Sequence, residues 1–167
     1  MKTTLVLGLG NILLGDEGVG VRVAQRLQAL YHFPEGTRVL DGGTLALDLL
    51  PDVEDTGRLL VIDAVDMGAA PGEMVRIVDE DVPTFLDVKV SPHQMGLADI
   101  LSAARLRGRF PEKLVLWGVQ PGVIDTTLEL SRPVAAQVDT LVAGVLADLN
   151  QWGIELTRRL DHEQGRA

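Results

Sequence analysis

No cysteine occurs in the 167 residues, which excludes disulfides, a thiolate nucleophile and a zinc–thiolate centre. Any metal must therefore be held by oxygen and imidazole, and only three histidines are available. Basic residues are scarce as well: 15 Lys and Arg stand against 24 Asp and Glu, giving a net charge of −9. No basic stripe with interleaved aromatics offsets that balance, so neither nucleic acid nor an anionic membrane surface is expected as a partner. Gly-x-Ser-x-Gly is missing, and Ser91 and Ser102 lack the setting of a hydrolase nucleophile. No apolar run is long enough to span a bilayer. Lys2 followed by Leu5 to Leu14 imitates a secretory signal, but Gly8, Gly10 and Asn11 interrupt it and no small-residue cleavage site precedes Asp16. A cytoplasmic protein, monomeric, is the expectation.

What is present suits one compact unit. Hydrophobic residues make up 46% of the chain, enough for a sizeable core in a single domain over 1–157. From Arg158 to Ala167 the chain is charged and poor in apolar residues, and a frayed tail is expected there.

The chain is organised around Leu5 to Leu27, LVLGLGNILLGDEGVGVRVAQRL. Leu5-Val6-Leu7 reads as a central parallel strand buried on both faces. Glycines then punctuate a turn, and Val19, Val23, Leu27 and Leu30 recur at helical spacing. Asp16 and Glu17 thus fall where the carboxyl end of a strand hands over to a helix, the rim at which open α/β sheets bind ligands. A dinucleotide fingerprint would need a third small residue where Leu13 stands, and the two acids would repel a pyrophosphate. Nucleotide binding remains a lesser alternative.

Further elements follow the same alternation. Arg38-Val39-Leu40 is a short strand ending in Asp41-Gly42-Gly43-Thr44, and a helix is expected from Leu45 to about Leu50. Arg58 to Val65, RLLVIDAV, is the clearest buried strand, with Asp63 and Asp66 at its end. Glu73 to Val78 alternates in polarity like an edge strand, and Asp79 to Asp87 reads as a polar connection. Leu97, Ile100, Leu101 and Ala104 mark one helix face, and Leu114 to Val119 another buried strand. A long helix opens at Ser131, with Pro133 in its first turn and Val134, Val138, Leu141, Val142, Val145 and Leu149 as its buried stripe. The pattern predicts an α/β fold in three layers, a mainly parallel twisted sheet with helices on both faces.

That architecture gathers Glu17, Asp41, Asp63 and His93 on one rim. Two carboxylates and an imidazole on separate loops can make an open three-ligand site for nickel, zinc, iron or manganese. Each residue also has an ordinary structural use. Glu17 can favour a helix dipole by roughly 0.3–1 kcal/mol; Asp16 suits a helix cap better than a ligand, and Thr44 a cap after the Asp41 turn. Asp63 can serve a turn, His93 can cap the helix after it, and Asp66 is expected to be solvated.

Four segments taken together are familiar: Gly8 to Gly20 (GLGNILLGDEGVG), Asp41-Gly42-Gly43-Thr44, Ile62-Asp63-Ala64 and Ser91-Pro92-His93-Gln94. In this order and spacing, over about residues 4–150, the chain resembles the nickel–iron hydrogenase maturation endopeptidases. The resemblance implies a twisted sheet between helices, and an enzyme that removes a carboxyl-terminal extension from the hydrogenase large-subunit precursor after nickel insertion. It implies that Glu17, Asp63 and His93 bind the nickel, which the precursor carries, with other divalent metals able to substitute. Asp41 would act at the substrate or the cleaved bond. Such proteases are sometimes classed as aspartic-type. A non-catalytic, nickel-dependent checkpoint protein for the same precursor is the alternative.

Overall fold

The computed structural model describes residues 3–89 and 95–160. Its core is a five-stranded sheet whose order puts the first apolar run next to the middle. The strands are β1 (Thr4–Leu9), β3 (Thr37–Gly43), β4 (Arg58–Ala64), β5 (Met74–Val78) and β6 (Lys113–Val119). They lie in the order β3-β1-β4-β6-β5. β1 is parallel to β3 and β4, and β4 to β6, while β5 runs antiparallel on the edge. The alternating polarity of residues 73–78 foreshadows that edge position.

Side-chain alternation splits the core into two layers. Leu5, Leu7, Leu59, Val61, Leu114 and Leu116 face one way. There they meet α3 (Asp81–Lys89) and α4 (Met95–Leu106) through Val82, Leu86, Ile100 and Leu101. Val6, Leu60, Ile62 and Val115 face the other way. α1 (Val19–Leu30) and α6 (Val138–Gln151) cover them with Val23, Leu27, Leu141, Val145 and Leu149. Helices therefore lie on both faces of a mostly parallel sheet, as the pattern predicts.

α1 approaches the sheet so closely that no side chain fits between them. A Cβ on Gly20 would lie 2.1 Å from the Ile62 carbonyl oxygen and 2.5 Å from that of Leu9. The glycine is needed for this backbone contact, which sets the first helix directly beside the end of β4.

Three elements differ from the sequence pattern. Residues 79–87 are not a polar connection: α3 runs through them, with Val82 and Leu86 buried one turn apart beneath an acid-rich exposed face. The long helix after Ser131 is two, α5 (Arg132–Ala135) and α6, separated at Ala136–Gln137. Arg158 belongs to a strand, β7 (Thr157–Arg158), paired antiparallel with β2 (Tyr31–His32). Arg159 follows it, its N–H donating to the Leu30 carbonyl at 2.8 Å. Residues 161–167 of the expected tail lie outside the described residues. α2 (Leu50–Glu54) follows a 3-10 turn, Ala46–Leu49, so the helix expected from Leu45 begins as that tighter turn. Among the described residues no helix is long and apolar enough to cross a membrane.

Candidate functional site

The glycine-rich turn after β1 does more than reverse the chain. Gly10 has φ +125°, and a Cβ there would fall 1.8 Å from the Glu17 carbonyl oxygen. The turn thus folds tightly onto a 3-10 turn, Gly15–Gly18, that carries Asp16 and Glu17. Asp63 is the penultimate residue of β4, paired in register with Gly118 of β6. Glu17, from that 3-10 turn, and Asp63, from the end of β4, line one cavity of about 420 Å³. Gly10, Leu14, Gly43, Thr44, Asp66, Leu97, Ile100, Pro121 and Ile124 are among the other residues of its wall.

Both carboxylates are half-buried. Burial pushes the Asp63 carboxyl up to about 7, the Ala64 backbone N–H counteracts this in part, and the negative charge of Glu17 adds to the rise. The two acids are thus electrostatically in conflict within one low-dielectric recess. Its two carboxylate groups beside an open volume are oxygen donors of the kind that could hold a divalent cation. Among the described residues no Lys or Arg lines the cavity.

The conflict has a measurable cost in stability. The folded-state pKa of Asp63 lies above the ordinary carboxylate value of 3.8, so between about pH 4 and pH 7 the unfolded chain loses this proton while the folded chain keeps it. Stability from this group falls as pH rises through that window. Asp63→Asn removes the penalty, and we expect a gain of about 2–4 kcal/mol at pH 8 that shrinks toward zero at pH 4. Thermal unfolding of both proteins across that range checks it; an equal difference at pH 4 and pH 8 would contradict it.

Asp16 is not the cap that its position suggests. The helix start has no side-chain cap, and Asp16 is fully buried. Its Oδ2 accepts from the Gly122 and Val123 N–H groups, both at 2.8 Å, and from the Ser131 hydroxyl at 2.7 Å. Oδ1 accepts from the Ser131 N–H at 2.7 Å. Burial alone would raise this carboxyl, but the Ser131 hydroxyl and the three backbone donors hold it below the usual range. Asp16 therefore fastens the 121–131 segment against the turn that carries Glu17.

Thr44 likewise caps nothing, because the following 3-10 turn has Leu45 at its N-cap and no side-chain bond; Thr44 lines the cavity. Asp41 lies at the end of β3 and is exposed, with its Oδ1 accepting from the Gly43 N–H at 3.0 Å. It is not among the cavity-lining residues, and it instead shapes the turn at Gly43, which is. Asp66, expected to be solvated, is exposed but held: Gln120 Nε2 donates to its Oδ1 at 3.2 Å, and it lines the cavity. Gln120 itself is buried, and its Oε1 accepts from the Met67 and Ala69 N–H groups. A lone amide directly after the apolar run Leu114 to Val119 was the one available signal for that support.

His93, with Ser91, Pro92 and Gln94, lies outside the described residues. Gly96 and Leu97, just beyond that segment at the start of α4, line the cavity. Among the described residues no three His, Cys, Asp or Glu side chains converge as a metal cluster; the structure brings together Glu17 and Asp63.

Comparison with known proteins points one way. Residues 21–148 match the family described as hydrogenase maturation protease. The chain is 44% identical over 156 residues to the hydrogenase 2 maturation protease of Escherichia coli, covering 93% of this chain and 95% of that one. It is 44% identical to the hydrogenase expression/formation protein HupD of Rhodobacter capsulatus, across 94% of this chain and 76% of the relative. Among solved structures, the hydrogenase maturating endopeptidase HybD of Escherichia coli superposes with a TM-score of 0.89 at 43% identity, over 94% of this chain and 98% of that one. The NiFe hydrogenase maturation protease HybD of Thermococcus kodakarensis matches with a TM-score of 0.71 at 30% identity, over 86% and 96% of the two chains.

Proposed function

The chain belongs to the hydrogenase maturation protease family, and on that premise we propose that it removes the carboxyl-terminal extension of a nickel–iron hydrogenase large-subunit precursor once nickel has been inserted. The observation that carries the reading is the meeting of Glu17, from the turn after β1, and Asp63, from the end of β4, in one cavity with no Lys or Arg among the described residues that line it. The nickel arrives with the substrate. Glu17 and Asp63, joined by His93, supply oxygen and nitrogen donors to it, and other divalent metals can take its place.

The chemistry of the chain favours attack by water. With no cysteine and no serine elbow, the chain cannot easily form an acyl-enzyme. A peptide bond held beside a cation is polarised, and a water between the carbonyl and a carboxylate is positioned to attack it. The role of the protein is to recognise a loaded metal centre and present the adjoining bond. Selectivity then arises from the ligand set: precursor without nickel leaves two acids facing each other and gains nothing by entering. Asp41, through Gly43, shapes one wall of the recess rather than the metal site itself. The work is assigned to a monomer in the cytoplasm.

The test is incubation of the chain with nickel-loaded precursor, followed by intact mass measurement and gel filtration. Loss of a defined carboxyl-terminal peptide, with 18O from labelled water in the new carboxylate, is expected. A stable complex with the precursor mass unchanged would instead make the chain a binding checkpoint.

A further inference from the structure

The cavity wall continues outward into an apolar lip that the rest of the fold leaves open. Leu13, Ile124 and Leu128 are 57%, 52% and 60% exposed, and Val123 beside them is exposed as well. Single exposed leucines are ordinary on any surface. These are gathered by construction. The Thr127 N–H donates to the Leu13 carbonyl at 3.1 Å, the Gly15 N–H to the Thr127 carbonyl at 2.9 Å, and Leu14 and Thr127 form a parallel bridge. Arg22 donates to the Leu128 carbonyl at 2.7 Å. The Asp16 carboxylate fastens Gly122, Val123 and Ser131 from beneath.

The lip is also continuous with the site, since Leu14, Pro121 and Ile124 belong to the wall that holds Glu17 and Asp63. Asp66, Asp125 and Glu129 are exposed near it, and Arg22 reaches it from α1 with its guanidinium on the Leu128 carbonyl, so its charged border is mixed. A preformed apolar edge that runs into the cavity wall fits a particular occupant.

We propose that this lip docks the stretch of precursor polypeptide adjoining the bond that is cut, as an extended segment bearing apolar side chains; this rests on the reading that the chain acts on that precursor. A cavity of about 420 Å³ takes only a few side chains. The chain leading to the bond must therefore lie over the rim, where each residue of extended peptide advances about 3.3 Å. Leu13, Ile124 and Leu128 bury apolar surface on that segment, and the fixed backbone beneath them removes the cost of ordering the loop.

The double variant Leu13→Ser, Leu128→Ser is compared with the parent chain and with Leu106→Ser, which removes a leucine that is 90% exposed at the end of α4. Two side chains outside the cavity wall that lose docking burial are expected to raise KM for nickel-loaded precursor about tenfold, with kcat within about twofold. Leu106→Ser is expected to change neither. The dissociation constant of the precursor, measured by interferometry on the same proteins, should follow KM. Thermal unfolding monitors the fold, and Leu128→Ser alone, expected at about threefold, replaces the double variant if that one does not fold. KM and dissociation constant within twofold of the parent would overturn the docking surface while leaving the peptidase reading intact. Binding weakened by the variants in a parent that does not cleave would overturn the peptidase reading and keep the surface.

Discussion

Glu17→Gln is expected to lower the rate of precursor cleavage about a hundredfold or more while the fold stays intact. The substitution keeps the shape of the side chain and removes its charge. Loss of groups that merely support a metal ligand commonly costs 10–100-fold, and loss of a ligand itself sits at or beyond the upper end. Stability should not fall, because Glu17 is half-buried at a rim and its charge opposes that of Asp63. Removing the charge relieves Asp63, so the unfolding temperature is expected to hold or rise slightly. Initial rates with nickel-loaded precursor, taken beside thermal unfolding, separate the two effects. A Glu17→Gln enzyme that cleaves at the parent rate would take this residue out of the site.

Asp16→Ala carries the largest expected loss of stability. The carboxylate accepts four hydrogen bonds in a fully buried position. Removing it leaves the Gly122, Val123 and Ser131 N–H groups without an acceptor, for about 3–5 kcal/mol. In a chain of this size that corresponds to a fall of about 10 °C in Tm. Asp16→Asn should be nearly as costly, since its amide nitrogen turns a donor toward donors. The sign with pH is opposite to that of Asp63. The folded-state carboxyl lies below 3.8, so its contribution is complete above that value and is lost as pH falls through the lowered pKa. The difference between parent and variant should therefore be full at pH 7 and shrink in strong acid. Cleavage should fall too, because the segment it fastens carries Pro121 and Ile124 of the cavity wall. An Asp16→Ala chain with parental Tm at pH 7 would show that the segment is held by other means.

The strands and the rim were legible because their signal is local. Consecutive apolar residues at Leu59 to Ile62 have no other economical use than a strand buried on both faces, and glycines after Leu7 mark a turn whatever follows it. The placing of Glu17 and Asp63 at that rim needed only the topology of parallel strands. α3 was hidden because four acids fall within residues 79–87, and that composition outweighs the single i, i+4 pair Val82 and Leu86. Asp16 was misread for a different reason. A carboxylate before a helix has a good local partner in the helix N–H groups, and nothing in the sequence announces that its actual partners lie 106 to 115 residues away. The same holds for Asp66 and Gln120, whose pairing joins loops 54 residues apart. Thr44 was assigned to a cap by the same preference for near neighbours, and the residue instead lines the cavity.

Position in the chain decides which residues reach the rim, while long-range hydrogen bonds decide what each does there. Glu17 and Asp16 illustrate this as adjacent acids with opposite fates. One is left facing an open recess beside a second carboxylate, and the other is buried as the fastener of the segment that walls that recess.

The most direct measurement is the intact mass of one precursor prepared in two states, nickel-loaded and nickel-free, after incubation with the full chain. If Glu17, Asp63 and His93 grip nickel carried by the substrate, the loaded form loses its carboxyl-terminal extension and the nickel-free form keeps its mass. Equal cleavage of both forms would contradict recognition of the metal and leave the cavity acids without their assigned role.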